Sequence, residues 1–271
     1  MSLKKLNITL LGVVGMSIFA TGTALAHTAY LKPNTFSTMR GNTITLESSF
    51  TESFSNPEVV VKSKNWHFYT PKGERKNFDM VQSHKQVTIL EQAIEDNGTY
   101  RFTSGERLGR KGEMYKLKDG SLQSMFGHDR KKKPQPEGAV TITTQTATIA
   151  DTYVTKGAPT LAVLQTRIGR LAIIPVTHPN EIYAEDGFAF RLTFDGKAMK
   201  NQSMTLYRDG GMYADDKGVV KLKTGKKSVT KIDFKQPGMY LLMTRHKADA
   251  PEGSETDLRS YTTSLTFEVT P

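Results

Sequence analysis

Phe188-Ala189-Phe190-Arg191-Leu192-Thr193-Phe194 alternates large apolar side chains with small or polar ones. Successive side chains of a strand point to opposite faces, so this spacing gathers the apolar groups on one face and predicts a half-buried strand. The same rhythm returns at Tyr261, Thr263, Leu265, Phe267 and Val269. Between such runs stand Pro71-Lys72-Gly73, Asn97-Gly98, Asp195-Gly196, Asp209-Gly210-Gly211, Asp216-Lys217-Gly218 and Pro237-Gly238, which carry the residues that tight turns require. No stretch has the apolar period of a three-turn amphipathic helix, and the one helical expectation is a short segment over Val87 to Ile94. The chain reads as all-β.

A second signal occurs twice. Asp96-Asn97-Gly98-Thr99-Tyr100 leads into Arg101-Phe102, and Gln236-Pro237-Gly238-Met239-Tyr240 leads into Leu241-Leu242. In immunoglobulin-like sandwiches a tyrosine at such a step turns its hydroxyl back onto the backbone at an inter-sheet corner. One copy in each half predicts two tandem immunoglobulin-like β-sandwich domains. Lys156-Gly157-Ala158-Pro159 interrupts the strand pattern, which sets the expected boundary between Thr155 and Gly169 and the domains at 27–168 and 169–271. Within the first, 105–138 is polar, rich in glycine and lysine and without alternation, so it reads as a long surface excursion, a lid or partner-binding loop.

The N-terminus reads as a leader. Lys4 and Lys5 precede an apolar run from Ile8 to Phe19, and Ala24-Leu25-Ala26 supplies the small-x-small cleavage pattern of a secretory signal. The run is too short and too interrupted by glycine for a spanning helix. Cleavage of 1–26 leaves a chain starting at His27, and lowers the formal charge from +10 to +8 because the leader holds two lysines and no acids. Such a surplus suits anionic envelope surfaces. The basic run Arg130 to Lys133 lacks the interleaved aromatics of a nucleic-acid site, so no nucleic-acid partner is expected. The absence of cysteine excludes disulfides, thiolate metal sites and cysteine nucleophiles together.

Ile173-Ile174-Pro175-Val176-Thr177-His178-Pro179-Asn180, Asp195-Gly196-Lys197, Gln236-Pro237-Gly238-Met239-Tyr240 and Ser260-Tyr261-Thr262-Thr263-Ser264-Leu265 together resemble the domain-of-unknown-function 4198 family. His27 leading to Tyr30-Leu31-Lys32-Pro33, and Thr152-Tyr153-Val154-Thr155-Lys156-Gly157-Ala158-Pro159, extend the resemblance over nearly the whole mature chain. Ala214-Asp215-Asp216-Lys217-Gly218 departs from the Thr-Asp-x-x-Gly that members tend to show there. The resemblance implies an exported bacterial protein, a periplasmic component associated with nickel or cobalt uptake that hands an ion or chelate to inner- or outer-membrane transporter components.

Candidate ligands follow from the histidines. A freed amino group on His27 and its imidazole are two nitrogen donors suited to Ni, Co or Cu, and an α-amino group sheds its proton under mild conditions. His178, in the Thr-His-Pro-Asn turn, and His246, beyond the strand that starts at Met239, are the further candidates, although a lone histidine before proline also reads as a brace for its loop. No His-x-His or His-x3-His pair assembles a site from spacing alone. The chain carries no Gly-x-Ser-x-Gly, His-Glu-x-x-His or P-loop, so no catalysis is expected. Two alternatives stand beside metal uptake: a structural or interaction module of the envelope that binds no metal, and an oxidative copper enzyme built on an N-terminal histidine brace.

Overall fold

The computed structural model describes residues 27–127, 129–213 and 218–271. The expected leader, 1–26, lies outside them, as do His128 and most of the Ala214 to Gly218 turn. The N-terminal half contributes β1 (Thr28–Pro33), β2 (Ser37–Thr38), β3 (Thr43–Thr51), β4 (Val59–Val60), β5 (His67–Tyr69), β6 (Arg75–Lys76), β7 (Met80–Ser83), β8 (Thr88–Ala93), β9 (Gly98–Thr103) and β10 (Arg107–Lys116). Then follow β11 (Leu122–Ser124), β12 (Val140–Lys156), β13 (Leu171–Pro175), β14 (Phe188–Phe194), β15 (Lys197–Ala198), β16 (Ser203–Arg208), β17 (Val219–Lys223), β18 (Thr230–Ile232), β19 (Gly238–Asp249) and β20 (Leu258–Val269). The described residues are all-β and form three sheets.

The largest sheet runs β17-β16-β19-β20-β12-β9-β5-β6 and therefore takes strands from both halves. Its seam is the parallel pair β12 and β20, with Ala147 opposite Tyr261 and Asp151 opposite Leu265. A second sheet, β1-β3-β8-β7 with β4 on β3, and a third, β13-β14-β15 with β18 on β14, complete the fold. Alternation along β12 shows how they stack. Ala147 and Tyr153 join the core with Phe188, Phe190 and Leu192 of β14, whereas Ala150 and Val154 join the core with Leu31, Ile44 and Leu90 of the second sheet. The two smaller sheets thus cover opposite faces of the shared one, and β12 and β20 lie in the middle of the stack.

That arrangement explains three departures from the sequence reading. The strand at Tyr261 to Val269 is buried on both faces, because Thr262, Ser264 and Thr266 lie inside as fully as Leu265 and Phe267. Val87 to Ile94 is strand rather than helix: β8 pairs with β3, Leu46 opposite Leu90, so pairing overrides the helix preference of Leu90, Glu91 and Ala93. The 105–138 excursion is largely a β-ribbon. β10 pairs antiparallel with β12 from Lys116 opposite Val140 to Arg107 opposite Thr148, and β11 folds back on it. Both faces of β10 are mostly exposed, so alternation had nothing to record.

Both tyrosine corners form. Tyr100 donates its hydroxyl to Asp96 O at 3.0 Å and Tyr240 to Gln236 O at 2.7 Å. Gly98 and Gly238, at φ 125° and 139°, supply the backbone turn before each. A buried ion pair lies on the face of the shared sheet that carries Ala147 and Tyr153. Arg101 on β9 donates to the Asp151 carboxylate on β12 and to the Thr166 carbonyl in the segment joining β12 to β13. Burial alone would lower the Arg101 pKa, but Asp151 and the neighbouring tyrosines outweigh it and raise it. Burial pushes the adjacent Tyr153 hydroxyl up to about 12.

Candidate metal centre

Strand register assembles a site at one corner of the second sheet. Thr28 lies opposite Thr51, so His27, one residue before β1, adjoins Glu52, one residue after β3. Phe50 lies opposite Val59, which brings Glu58, one residue before β4, to the same corner. The 52–58 loop is held tight by Asn56 N donating to Ser53 O at 3.0 Å and by Thr51 donating its hydroxyl to the same carbonyl. Ser55 takes a left-handed φ of 66° within it.

The Glu58 carboxylate is the fixed element. Its Oε1 accepts from the Glu52 main-chain N–H at 3.0 Å. Its Oε2 is left facing His27 Nε2 at 3.0 Å, and Glu52 Oε1 lies 4.0 Å from the same nitrogen. One donor atom from each residue falls within 4.8 Å of the others. Metal bonds of about 2.1 Å hold neighbouring donors about 3 Å apart. His27 and Glu58 already have that spacing, and the half-exposed Glu52 needs a rotamer change to reach it. One imidazole nitrogen with two carboxylate oxygens suits Zn, Co, Ni, Mn or Fe(II) rather than Cu(I).

His178 and His246 lie elsewhere. His178 is 6% exposed, and both ring nitrogens are engaged by the protein. Nδ1 accepts from Asn180 N at 3.1 Å, so the proton sits on Nε2, which faces Thr160 O at 3.2 Å and Thr99 Oγ1 at 3.0 Å. Burial lowers its pKa, with the Thr160 carbonyl opposing. The brace continues through Asn180, whose Nδ2 donates to Phe36 O and Tyr153 O at 3.0 Å each. His246 sets its ring edge-on to Phe194 at 4.8 Å. Burial lowers its pKa, and the Arg170 guanidinium, itself 4.5 Å above the Phe194 ring, adds to the effect and would repel a metal cation. Neither histidine belongs to a group of three ligand residues among those described.

Glu52 and Glu58 escaped the sequence reading. Glu52-Ser53-Phe54-Ser55-Asn56-Pro57-Glu58 does contain a signal, since serine, asparagine and proline favour a tight turn and would bring its flanking glutamates together. Their meeting with His27 depends on the registers of β1 and β4 on β3, which that stretch does not encode.

The family described as "Domain of unknown function (DUF4198)" matches residues 24–248. No curated protein matches the chain. Among solved structures, one titled "Structural basis for Dscam isoform specificity" aligns at 12% identity over 87% of this chain and 72% of that one, with a TM-score of 0.16, too low to carry an argument.

Proposed function

The chain belongs to the DUF4198 family, and from that premise we propose that it is an exported, non-catalytic binding or accessory protein of transition-metal uptake. In this reading the leader is removed ahead of His27, the protein works in the periplasm, and a divalent ion of the nickel or cobalt type is held for transfer to a membrane transporter. The two halves are taken as immunoglobulin-like sandwiches at 27–168 and 169–271, fused on one sheet, and the pair of tyrosine corners supports this.

The observation that carries the metal reading is the convergence of His27 Nε2, Glu58 Oε2 and Glu52 Oε1 within 4.8 Å. Glu58 is pre-oriented by a hydrogen bond to its other oxygen, as metal-ligating carboxylates commonly are. His27 is 42% exposed in its side chain, so an ion has access from solvent. The copper-brace alternative draws less support. A brace uses the amine and Nδ1, whereas here Nε2 faces the acids, and among the described residues the cluster has no second imidazole.

The test is calorimetric titration of Ni(II), Co(II), Zn(II) and Cu(II) into the chain that begins at His27, free of any preceding tag. A single site should appear and should weaken at least about tenfold in both Glu58→Gln and His27→Gln, the usual scale for loss of a ligand or its support. No saturable binding, or binding by both variants as tight as that of the parent chain, would overturn the proposal. The intact mass of the exported species checks the expected first residue separately.

A further inference from the structure

A second pocket, on the opposite face of the shared sheet from β1, is built like a ligand site. Met204, Leu206 and Arg208 occupy one face of β16, where Arg208 lies opposite Tyr240 of β19 and Leu206 opposite Val220 of β17. The pocket has a volume of about 280 Å³, with Leu206, Val220, Phe234 and Tyr240 as its apolar lining. Its rings are fixed. Tyr240 is held through its hydroxyl by Gln236 O at 2.7 Å, and Phe234 packs against it at 4.9 Å between centroids.

Among the described lining residues two cations, Arg208 and Lys235, meet one acid, Asp233. Arg208 Nε is buried and has no hydrogen-bond partner. Among the described residues no carboxylate forms an ion pair with Arg208 or with Lys235, the other cation in the lining, whereas Asp233 is engaged by Lys231 at 3.6 Å. The guanidinium lies across Gly238, where a Cβ would sit 3.5 Å from its Nε. A cation with no acidic partner among the described residues, at the rim of an apolar, aromatic-lined pocket, has the composition of a small-molecule site, in which apolar walls give contact and a few polar groups give orientation.

We propose that this pocket binds a small organic anion with a flat apolar body, its carboxylate on Arg208 and its ring against Phe234 and Tyr240. Size agrees. The volume exceeds the roughly 150 Å³ of a cavity that takes benzene, which leaves room for one ring and a carboxylate. Arg208 also lines a neighbouring pocket with Glu52 of the His27 cluster, but the two proposals rest on different observations.

Benzoate is the probe, titrated by calorimetry and by amide chemical shifts, with benzyl alcohol and inorganic phosphate as controls. Saturable benzoate binding should shift the Val220 and Tyr240 amides, benzyl alcohol should bind at least about tenfold more weakly, and phosphate should not compete. Arg208→Gln should weaken benzoate at least about tenfold. Val220→Trp, which fills the pocket and leaves Arg208 in place, should abolish binding. The proposal is overturned by an absence of saturable benzoate binding, by binding that survives both variants, or by phosphate competing on equal terms, which would reduce the site to exposed cations.

Discussion

Ser264 donates its hydroxyl to the main-chain carbonyl of Ala29 at 2.6 Å, joining the last strand of the fold to the first. β1 can lie on the shared sheet because the β20 side chains beneath it, Thr262, Ser264 and Thr266, are small and all buried. Ser264→Val removes the donor, worth about 1 kcal/mol, and adds a branched carbon under β1, with an overpacking cost of about 1 to 3 kcal/mol. Ser264→Ala should cost only the first of these. Urea midpoints measured at unchanged slope separate the two, and equal losses would remove the claim that space, rather than the hydrogen bond, selects serine.

Arg101 and Asp151 form a pair with side chains only 2% and 8% exposed. Removing one partner leaves the other charged and buried, which costs about 3 to 5 kcal/mol, whereas replacing both with apolar groups of similar volume is near neutral. Arg101→Met alone should therefore lower stability strongly, and Arg101→Met with Asp151→Leu should recover most of the loss. Arg101 also donates to Thr166 O, so some loss should remain in the double variant. A double variant no more stable than the single would show that the pair is not self-compensating.

The legible part of this fold is the part encoded by one face of one strand. Phe188, Phe190 and Leu192 are buried as their alternation requires, and the Gly-x-Tyr steps at Tyr100 and Tyr240 close the expected corners because each hydroxyl bonds a carbonyl only four positions away. Where burial comes from both sides or neither, the pattern fades. β20 is covered on each face and β10 on almost none, so periodicity describes neither. The place of His27 after Ala24-Leu25-Ala26 makes it a candidate donor, but Glu52 and Glu58 become its neighbours only through pairing across β1, β3 and β4. Such register is set by the whole sheet. His178 was readable as a loop brace, and its bonds to Thr99, Thr160 and Asn180 give that brace its partners.

Two buried histidines, His67 and His178, and the half-buried His246 make stability depend on acidity. Burial holds the pKa of His67, His178 and His246 below the ordinary value of 6.5. Above that value they are neutral in both folded and unfolded chains and cost nothing. As pH falls through it, the unfolded chain takes up protons first, so stability drops until the native pKa values are passed. At His178 a second ring proton would oppose the Asn180 N–H. The stability advantage of the wild type over His178→Gln should therefore shrink between about pH 7.5 and about pH 5.5. Thermal midpoints at the two values report it, and a gap that stays constant would exclude His178 from the acid response.

The orientation of the His27 ring distinguishes two ways of holding an ion. The two nitrogens of an imidazole point in diverging directions, so one ion cannot take Nε2 beside Glu58 and also close a chelate ring through Nδ1 and the residue's own amino group. Nε2 lies 3.0 Å from Glu58 Oε2, which favours the carboxylate side. Glycine added ahead of His27 alters the amine but leaves β1 paired with β3. Binding through Nε2 should therefore tolerate that addition within about twofold and lose at least about tenfold in Glu58→Gln. Chelation by the amine gives the opposite pattern. Co(II) absorption spectra of the two variants add an independent reading, because exchanging a carboxylate oxygen for an amine nitrogen changes the ligand field. A glycine-extended protein that loses the metal while Glu58→Gln keeps it would move the ion off the acids and onto the chain terminus.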